Sequence, residues 1–412
     1  MKRRILFVDD EPHILEGLRN RLRRKRKVWE MFFANGGDEA LALLGDQPVD
    51  VIVSDMRMPR MDGATLLERV QKQHPGIVRI VLSGHAELES ALRVVPVAHQ
   101  FLTKPCEVGL LENVVERACN LHQLINDDVV RRALGGVQSL PSLPRVYAEL
   151  QSILQDEDVS AQRVAEVLKQ DVGMCAKLLQ MVNSAFFRLP RPIAKVEEAV
   201  MYLGFTTIKQ VVLTAAVFSS ASSGGAPATL DIEALQRHSV LTGRLASELF
   251  QDRKMQDEAF CAGLLHDVGK LVVATQLPER AAQVADVVRA EGTTVHAAEQ
   301  TAFGVTHAEV GGYLLGLWGL PYRIVEAVAN HHAIERVEQR EFDLLSATYV
   351  ANALANEQTP SALRRAKPAF DPLDLDYLER MGVSDQLESW REKAATYAET
   401  VASAWQKGGA AR

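Results

Sequence analysis

The chain has 412 residues, with 46 Lys and Arg against 53 Asp and Glu, for a net charge of −7. That balance excludes a global basic field of the kind that holds nucleic acid, while leaving a local basic patch open. Hydrophobic residues make up 47% and charged residues 24%, enough apolar material for the cores of two domains at roughly 100–200 residues each.

The first 105 residues alternate strand-like and helix-like runs. Short apolar runs at Ile5–Val8, Met31–Ala34, Val51–Ser54, Ile77–Leu82 and Gln100–Leu102 predict the strands of a parallel sheet covered on both faces. Amphipathic runs at Pro12–Arg24, Gly37–Leu44, Gly63–Lys72 and Glu87–Val95 predict the intervening helices. The expected class is an α/β doubly wound (βα)5 domain, whose ligands gather at the carboxyl ends of the strands. Residues 106–136 then predict one long helix or two in series. Leu111, Ala118 and Ile125 recur every seven residues, with Val114 and Leu121 between them, which suits a coiled-coil seam or packing on the preceding domain. Arg19–Lys27 (RNRLRRKRK) is the one dense basic run, read either as a solvated helix end opposing the macrodipole or as a docking patch.

A break at Gly135-Gly136 and the start Leu140-Pro-Ser-Leu-Pro144 predict a second domain, helical almost throughout from 145 to 356. Asp158 or Ser160 is placed to cap one of its helices. Ser219–Ala228 (SSASSGGAPA) is a small-residue loop, 357–372 a connector, and Ser384–Gln406 a closing helix. The four cysteines, Cys106, Cys119, Cys175 and Cys261, have no metal-ligand spacing and predict reduced thiols. The N-terminal apolar run is too short for a signal peptide, and no stretch of about 18 apolar residues exists, so a cytoplasmic protein without membrane contact is expected.

The first chemistry lies in carboxylates at strand ends. Asp9-Asp10-Glu11 follows ILFV and Asp55 follows VIVS. Brought side by side, these acids repel and each would ionise less readily, a conflict that a hard divalent cation resolves. Ser83 ends the run IVLS, and Lys104 sits in Phe101-Leu-Thr-Lys-Pro105. Taken with D-M-R-M-P-R-M-D-G from Asp55, S-G-H-A from Ser83 and K-P at Lys104, the first 123 residues resemble the receiver domains of response regulators. The resemblance implies a phosphoacceptor at Asp55 and Mg2+ held by Asp10, Asp55 and the Arg57 carbonyl with Asp9 assisting. It further implies phosphoryl binding by Ser83 and Lys104, a switch residue at Phe101, and a sensor histidine kinase as partner.

Residues 137–335 resemble the HDOD group, related to HD-domain phosphohydrolases, most specifically around Leu178–Leu189 and in GLLHDVGK. The domain order implied is a receiver over 1–123, a linker helix over 124–136, an HDOD output domain over 137–335 and a helical extension over 336–412. Against HD hydrolases, His238, His266, Asp267, His307 and the pair His331-His332 stand at ligand positions, while Asn352 falls where an aspartate closes the site. Two classes of output stay open. One is a non-catalytic module that binds a signalling protein or a nucleotide, its histidines satisfied within the bundle by hydrogen bonds. The other is a metal-dependent phosphohydrolase acting on a cyclic dinucleotide. Whether the output domain holds a metal is left open. A homodimer suits either class. DNA is not an expected partner, because the output half shows neither a helix-turn-helix pattern nor a basic stripe.

Overall fold

The computed structural model describes residues 2–83, 97–104, 106–124, 127–135, 137, 144–154, 156, 159–183, 191–205, 208, 230–339, 341–358 and 370–409. The expected helix Glu87–Val95, the loop Ser219–Ala228 and the capping candidate Asp158 lie outside these residues. The chain divides into two compact units, one built on Met1–Gln138 and the other chiefly on the residues after it.

The first unit holds a five-stranded parallel sheet in the order β2-β1-β3-β4-β5. Its strands are β1 (Arg3–Val8), β2 (Trp29–Ala34), β3 (Val51–Asp55), β4 (Val78–Ser83) and β5 (Gln100–Thr103). Ile5, Leu6, Val51, Ile52, Ile80 and Val81 are wholly buried, as a sheet with helices on both faces requires. The register aligns the strand ends: Val8 pairs with Ser54, Asp55 with Leu82, and Ser83 with Thr103. Asp9, Asp55, Ser83 and Lys104 therefore all stand at one edge of the sheet.

Helices α1 (Pro12–Arg21), α2 (Gly37–Asp46), α3 (Gly63–Gln73), α4 (Val108–Leu124) and α5 (Asp128–Gly135) complete this unit. α1 is shorter than expected, because Leu22–Lys27 tightens into a 3-10 turn that buries Leu22. The basic run there is partly spent internally. Lys25 pairs with Glu116 and lies 3.6 Å from Glu112, both on α4. On α4 the buried positions among the described ones are Leu111, Val115, Ala118 and Cys119, a face that includes Leu111 and Ala118 of the seven-residue repeat and packs on β3 of its own domain. α5 is also part of this body. Arg79 Nη2 donates to the Gly135 carbonyl at 2.6 Å, and a Cβ on Gly135 would lie 1.6 Å from the Pro75 carbonyl oxygen.

The second unit is helical. Its elements are α6 (Pro144–Ile153), α7 (Ala161–Leu168), α8 (Val172–Val182), the stretch 196–205, α9 (Ile232–Glu248), α10 (Arg253–Leu265), α11 (Val268–Gln276), α12 (Pro278–Glu291), α13 (Val295–Phe303), α14 (His307–Leu317), α15 (Tyr322–Asn330), α16 (Leu344–Glu357), α17 (Leu375–Arg380) and α18 (Leu387–Gly409). Side-chain caps set several starts, among them Ser160 on α7, Asp231 on α9, Asp252 on α10 and Thr294 on α13. The C-terminal helices pack back on α16, where Tyr377 Oη donates to Ser346 Oγ at 2.7 Å and Arg391 pairs with Glu357 at 3.2 Å. No helix among the described residues is long and apolar enough to cross a membrane.

Gly63 shows how tightly the β3 edge is built. It opens α3 with Asp62 as its cap, and a Cβ there would meet the Asp55 carbonyl oxygen at 2.2 Å. Calorimetry of the full chain should therefore find the Gly63→Ala variant destabilised by about 1–3 kcal/mol in the transition of the first unit. An unchanged transition would contradict this packing.

Candidate functional sites

In the receiver pocket the lysine after β5 reaches across the edge of the sheet. Lys104 Nζ lies 2.5 Å from Asp55 Oδ1 and 2.7 Å from Asp9 Oδ2. The remaining oxygens are also engaged: Asp55 Oδ2 accepts from the Arg57 amide at 2.9 Å and Asp9 Oδ1 from the Glu11 amide at 3.0 Å. Asp9 and Asp55 are buried and Asp10 is half-buried. Burial pushes the Asp55 carboxyl up; the Lys104 ammonium opposes this and Asp9 adds to it. Burial works against the charge on Lys104 too, but its bonds to Asp55 and Asp9 outweigh it and hold the ammonium protonated. The structure thus joins Asp9, Asp55 and Lys104. It does not draw the ligand atoms of Asp9, Asp10 and Asp55 to within 4.8 Å of one another, as it does in three histidine groups of the second unit. The donor set of Asp9, Asp10, Asp55 and the Arg57 carbonyl is all oxygen, the kind that Mg2+ takes. Ser83 and Phe101 hold their places on β4 and β5, paired with Thr103 and Val81, and their side chains lie outside the described positions.

The second site centres on the junction of α10 and α11. His266 and Asp267 form that junction, both buried. His307 opens α14, His331 and His332 follow α15, and His238 lies on α9. Glycines allow the approach. A Cβ on Gly263 would meet the Gly243 Cα at 2.8 Å, and one on Gly269 would meet the His307 carbonyl oxygen at 1.9 Å.

Three of the histidines are fixed in the same way. Nδ1 of His266 faces the Gly263 carbonyl at 2.7 Å, Nδ1 of His331 the Val328 carbonyl at 2.8 Å, and Nδ1 of His307 the Glu299 carboxylate at 2.6 Å. An Nδ1–H donated outward leaves each Nε2 as a bare lone pair, the arrangement that orients metal-ligating histidines. Nε2 of His266 and of His307 come within 3.3 and 3.2 Å of Asp267 oxygens, and Nε2 of His331 within 3.8 Å of one. None of these contacts has hydrogen-bond geometry: the three Nε2 atoms and Asp267 Oδ1 are buried without a partner. At these three Nε2 atoms the structure departs from the reading in which the histidines are satisfied within the bundle by hydrogen bonds. The other Asp267 oxygen, Oδ2, accepts from Lys270 at 2.6 Å.

His238 is spent differently. Its Nε2 meets Asn352 Oδ1 at 2.9 Å, and that oxygen also accepts from Asn356 at 3.1 Å. The asparagine therefore occupies His238 and brings no charge to the cluster. Glu299, which sequence reasoning passed over, bonds both the ring and the backbone amide of His307. Burial opposes ionisation of Asp267, yet the neighbouring His266 ring and Lys270 ammonium hold it well below the usual carboxylate range. Burial pushes His238 down to about 3 and carries His331 and His332 well below the usual imidazole value. Burial acts the same way on His307, but Glu299 outweighs it and the net direction is upward.

A family model for the response regulator receiver domain matches residues 5–116, and one for the HDOD domain matches residues 140–334. An uncharacterized protein of Treponema pallidum is 25% identical over 221 residues, 52% of this chain and 42% of its own length. The transcriptional regulatory protein GlrR of Escherichia coli is 30% identical over 154 residues, 37% of this chain and 34% of its own. The chain thus spans less than half the length of these curated relatives. Among solved structures, the MmoQ response regulator of Methylococcus capsulatus is 25% identical, with a TM-score of 0.48 over 61% of this chain and 98% of that one.

The buried histidines carry a pH dependence with a definite sign. For His238, His331 and His332 the unfolded chain binds protons more readily than the folded one, so their contribution is complete above the ordinary value of 6.5 and is lost as pH falls through it. His307 has the opposite sign, and Asp267 adds a further loss below 3.8. In chelator, the transition of the second unit should move to lower temperature between about pH 7.5 and about pH 5. A midpoint that holds or rises would show that these rings are not buried in the neutral form.

Proposed function

We propose that this chain, a response regulator joining a receiver domain to an HDOD output domain, takes a phosphoryl group on Asp55 and thereby controls what its output domain binds. The observation that carries this reading is the ammonium of Lys104 set between Asp9 and Asp55 at the carboxyl edge of the sheet. A histidine kinase is the general partner of a receiver, and a small phosphodonor offers the same chemistry. An Asp55 carboxylate oxygen attacks phosphorus, the bond to the donor breaks, and an acyl phosphate forms. Asp9, Asp10, Asp55 and the Arg57 carbonyl would hold Mg2+, which supplies charge neutralisation for the incoming phosphoryl oxygens. Lys104 is placed to move its ammonium from the Asp55 oxygen to the phosphoryl oxygens, with the Ser83 hydroxyl as a further donor. That movement, with Phe101 on β5 just before Lys104, alters the β4–β5 edge.

For the output domain we take the reading of a signalling module that binds protein or nucleotide. A metal-dependent phosphohydrolase is the second reading, favoured by one observation, the bare Nε2 atoms of His307 and His331 beside the unpaired Oδ1 of Asp267, with the bare Nε2 of His266 at its other oxygen. Asp267, His307, His331 and His332 offer ligand atoms within 4.8 Å of one another and fit a divalent cation, which would supply a polarised water. Glu299 would hold His307 in the required tautomer and Lys270 would balance Asp267. The neutral, already engaged Asn352 weighs against turnover.

Two experiments test these readings. Acetyl phosphate with Mg2+ should label the full chain and the Asp267→Asn variant but not Asp55→Asn; labelling of Asp55→Asn, or none in the wild type, overturns the phospho-switch. Metal analysis of the purified chain should find about one equivalent of transition metal, lost in Asp267→Asn and held more tightly in Asn352→Asp. A content below about 0.2 equivalents in the wild type after incubation with metal would remove the hydrolase reading.

A further inference from the structure

The basic run Arg19–Lys27 is a sequence feature that both sites leave unused, and the fold shapes it into a surface. Leu22–Lys27 forms six residues of 3-10 helix. With three residues per turn, side chains at i and i+3 stand above one another, so the run presents three rows of two. One row faces inward. Leu22 is wholly buried, and Lys25 pairs with Glu112 and Glu116 on α4 and lies 5.6 Å from the centre of the buried Trp29 ring. The other rows, Arg23 with Arg26 and Arg24 with Lys27, are exposed, and none of these four side chains has an ion-pair or hydrogen-bond partner among the described residues. The turn sits at the amino edge of the sheet, where the Arg3 amide donates to the Val28 carbonyl at 2.9 Å, and the exposed Lys2 adds a charge there. Against these, Glu30 on β2 brings one exposed acid. β1 spans six residues, so about 20 Å of strand separates this edge from Asp9 and the phosphoacceptor pocket.

We propose that Arg23, Arg24, Arg26 and Lys27 form a docking surface for the phosphate backbone of duplex DNA, contacted without regard to sequence. Guanidinium groups meet phosphate oxygens in pairs, and three of the four residues are arginines. A bilayer would be held by charge together with apolar side chains sunk among the headgroups, whereas Val28 is the single exposed large apolar residue of this segment. A protein partner would need an aromatic or aliphatic anchor at the centre of the patch, but Trp29 is buried and the Arg19 guanidinium covers Phe33 at 4.6 Å. The same lack of exposed rings removes the stacking platform that single strands require. Duplex phosphates ask only for clustered cations. The chain as a whole carries −7 and repels a polyanion, so attraction is local to this end. The expectation against DNA rested on the output half and does not touch this edge of the receiver. Docking here leaves the carboxyl edge of the sheet open and is separate from phosphorylation of Asp55.

Fluorescence anisotropy of a labelled mixed-sequence duplex, titrated with the full chain between about 50 and about 200 mM salt, reads the number of phosphates engaged. Four to five contacts predict a slope of log affinity on log salt of about −3.6 to −4.5, a loss of about 100–500-fold over that range. Arg23→Gln/Arg26→Gln and Arg24→Gln/Lys27→Gln each remove one exposed row. Each should flatten the slope by about 2 and weaken binding by about tenfold or more at the lower salt, with circular dichroism unchanged. Arg253→Gln/Lys254→Gln, an equal change of charge at exposed positions of the second unit, should alter neither. The Asp55→Asn chain should bind as the wild type does, so this test stands apart from labelling of Asp55. Equal weakening in Arg253→Gln/Lys254→Gln, a slope that the row variants leave unchanged, or no binding at the lower salt would overturn the proposal. Tighter capture by phosphatidylserine vesicles than by duplex would replace it with a membrane surface, and equal competition by polyglutamate would replace it with an acidic protein partner.

Discussion

A carboxylate taken out of water must be answered by positive charge or by aligned donors, and both sites of this chain are built on that constraint. In the receiver, Asp55 and Asp9 lie at strand ends and share one ammonium from Lys104. In the output domain, Asp267 lies at a helix junction and takes the ammonium of Lys270, one turn into α11. Removing one member of such a buried pair costs on the order of 3–5 kcal/mol, because the remaining charge is stranded. The two lysines differ in what they leave available. Lys104 is bonded to both of its acids, and backbone amides take their other oxygens. Lys270 holds only Oδ2 of Asp267, and Oδ1 stays free beside the imidazoles.

The receiver was largely legible in the sequence because a parallel sheet buried on both faces has to be written as short apolar runs, and its chemistry has to follow those runs directly. Asp9, Asp55, Ser83 and Lys104 each sit at such an end. What stayed hidden was set by packing. The heptad-like spacing of Leu111, Ala118 and Ile125 is compatible with two faces, and only the burial of Val115 and Cys119 shows that α4 turns toward its own domain. In the output domain the histidines announce themselves by type, whereas Glu299 is one acid among many. Its signal is positional: α13 ends in Gly304 with a left-handed φ of 69°, which turns the chain back so that Glu299 faces His307 eight residues on. Asp371, whose Oδ2 lies 3.2 Å from His332 Nδ1, was illegible for a simpler reason. It lies 39 residues from His332, in a stretch that reads as a connector without chemistry.

The same histidines show why residue type alone could not decide between a satisfied core and a ligand set. Both readings bury His266, His307 and His331; they differ in where each ring's two nitrogens go. The fold spends every Nδ1 on an outward acceptor and leaves every Nε2 pointing to one carboxylate. Buried polar atoms left without partners are rare, since each costs about 1–3 kcal/mol. Three of them facing one acid are a cost that helix packing through Gly243, Gly263 and Gly269 imposes together, not a set of unrelated local defects. His238 was grouped with them by sequence, yet its Nε2 is taken by Asn352. One amide therefore takes up a ring nitrogen 114 residues away in the chain.

The way the chain leaves the receiver follows from another buried charge. Arg79 on β4 is 1% exposed, and a guanidinium has five donors that must all be placed. It meets the demand by reaching the carbonyls of Val97, Ile77 and Pro75, the His99 ring nitrogen Nε2, and finally the carbonyl of Gly135 at the end of α5. Gly135 can accept only because it has no side chain to strike Pro75. The exit helix is thus fastened to the strand that ends in Ser83 and to the segment that leads into β5. Gly135 is thereby held both by a buried guanidinium from the sheet and by close packing against Pro75, which a flexible tether at that point could not provide.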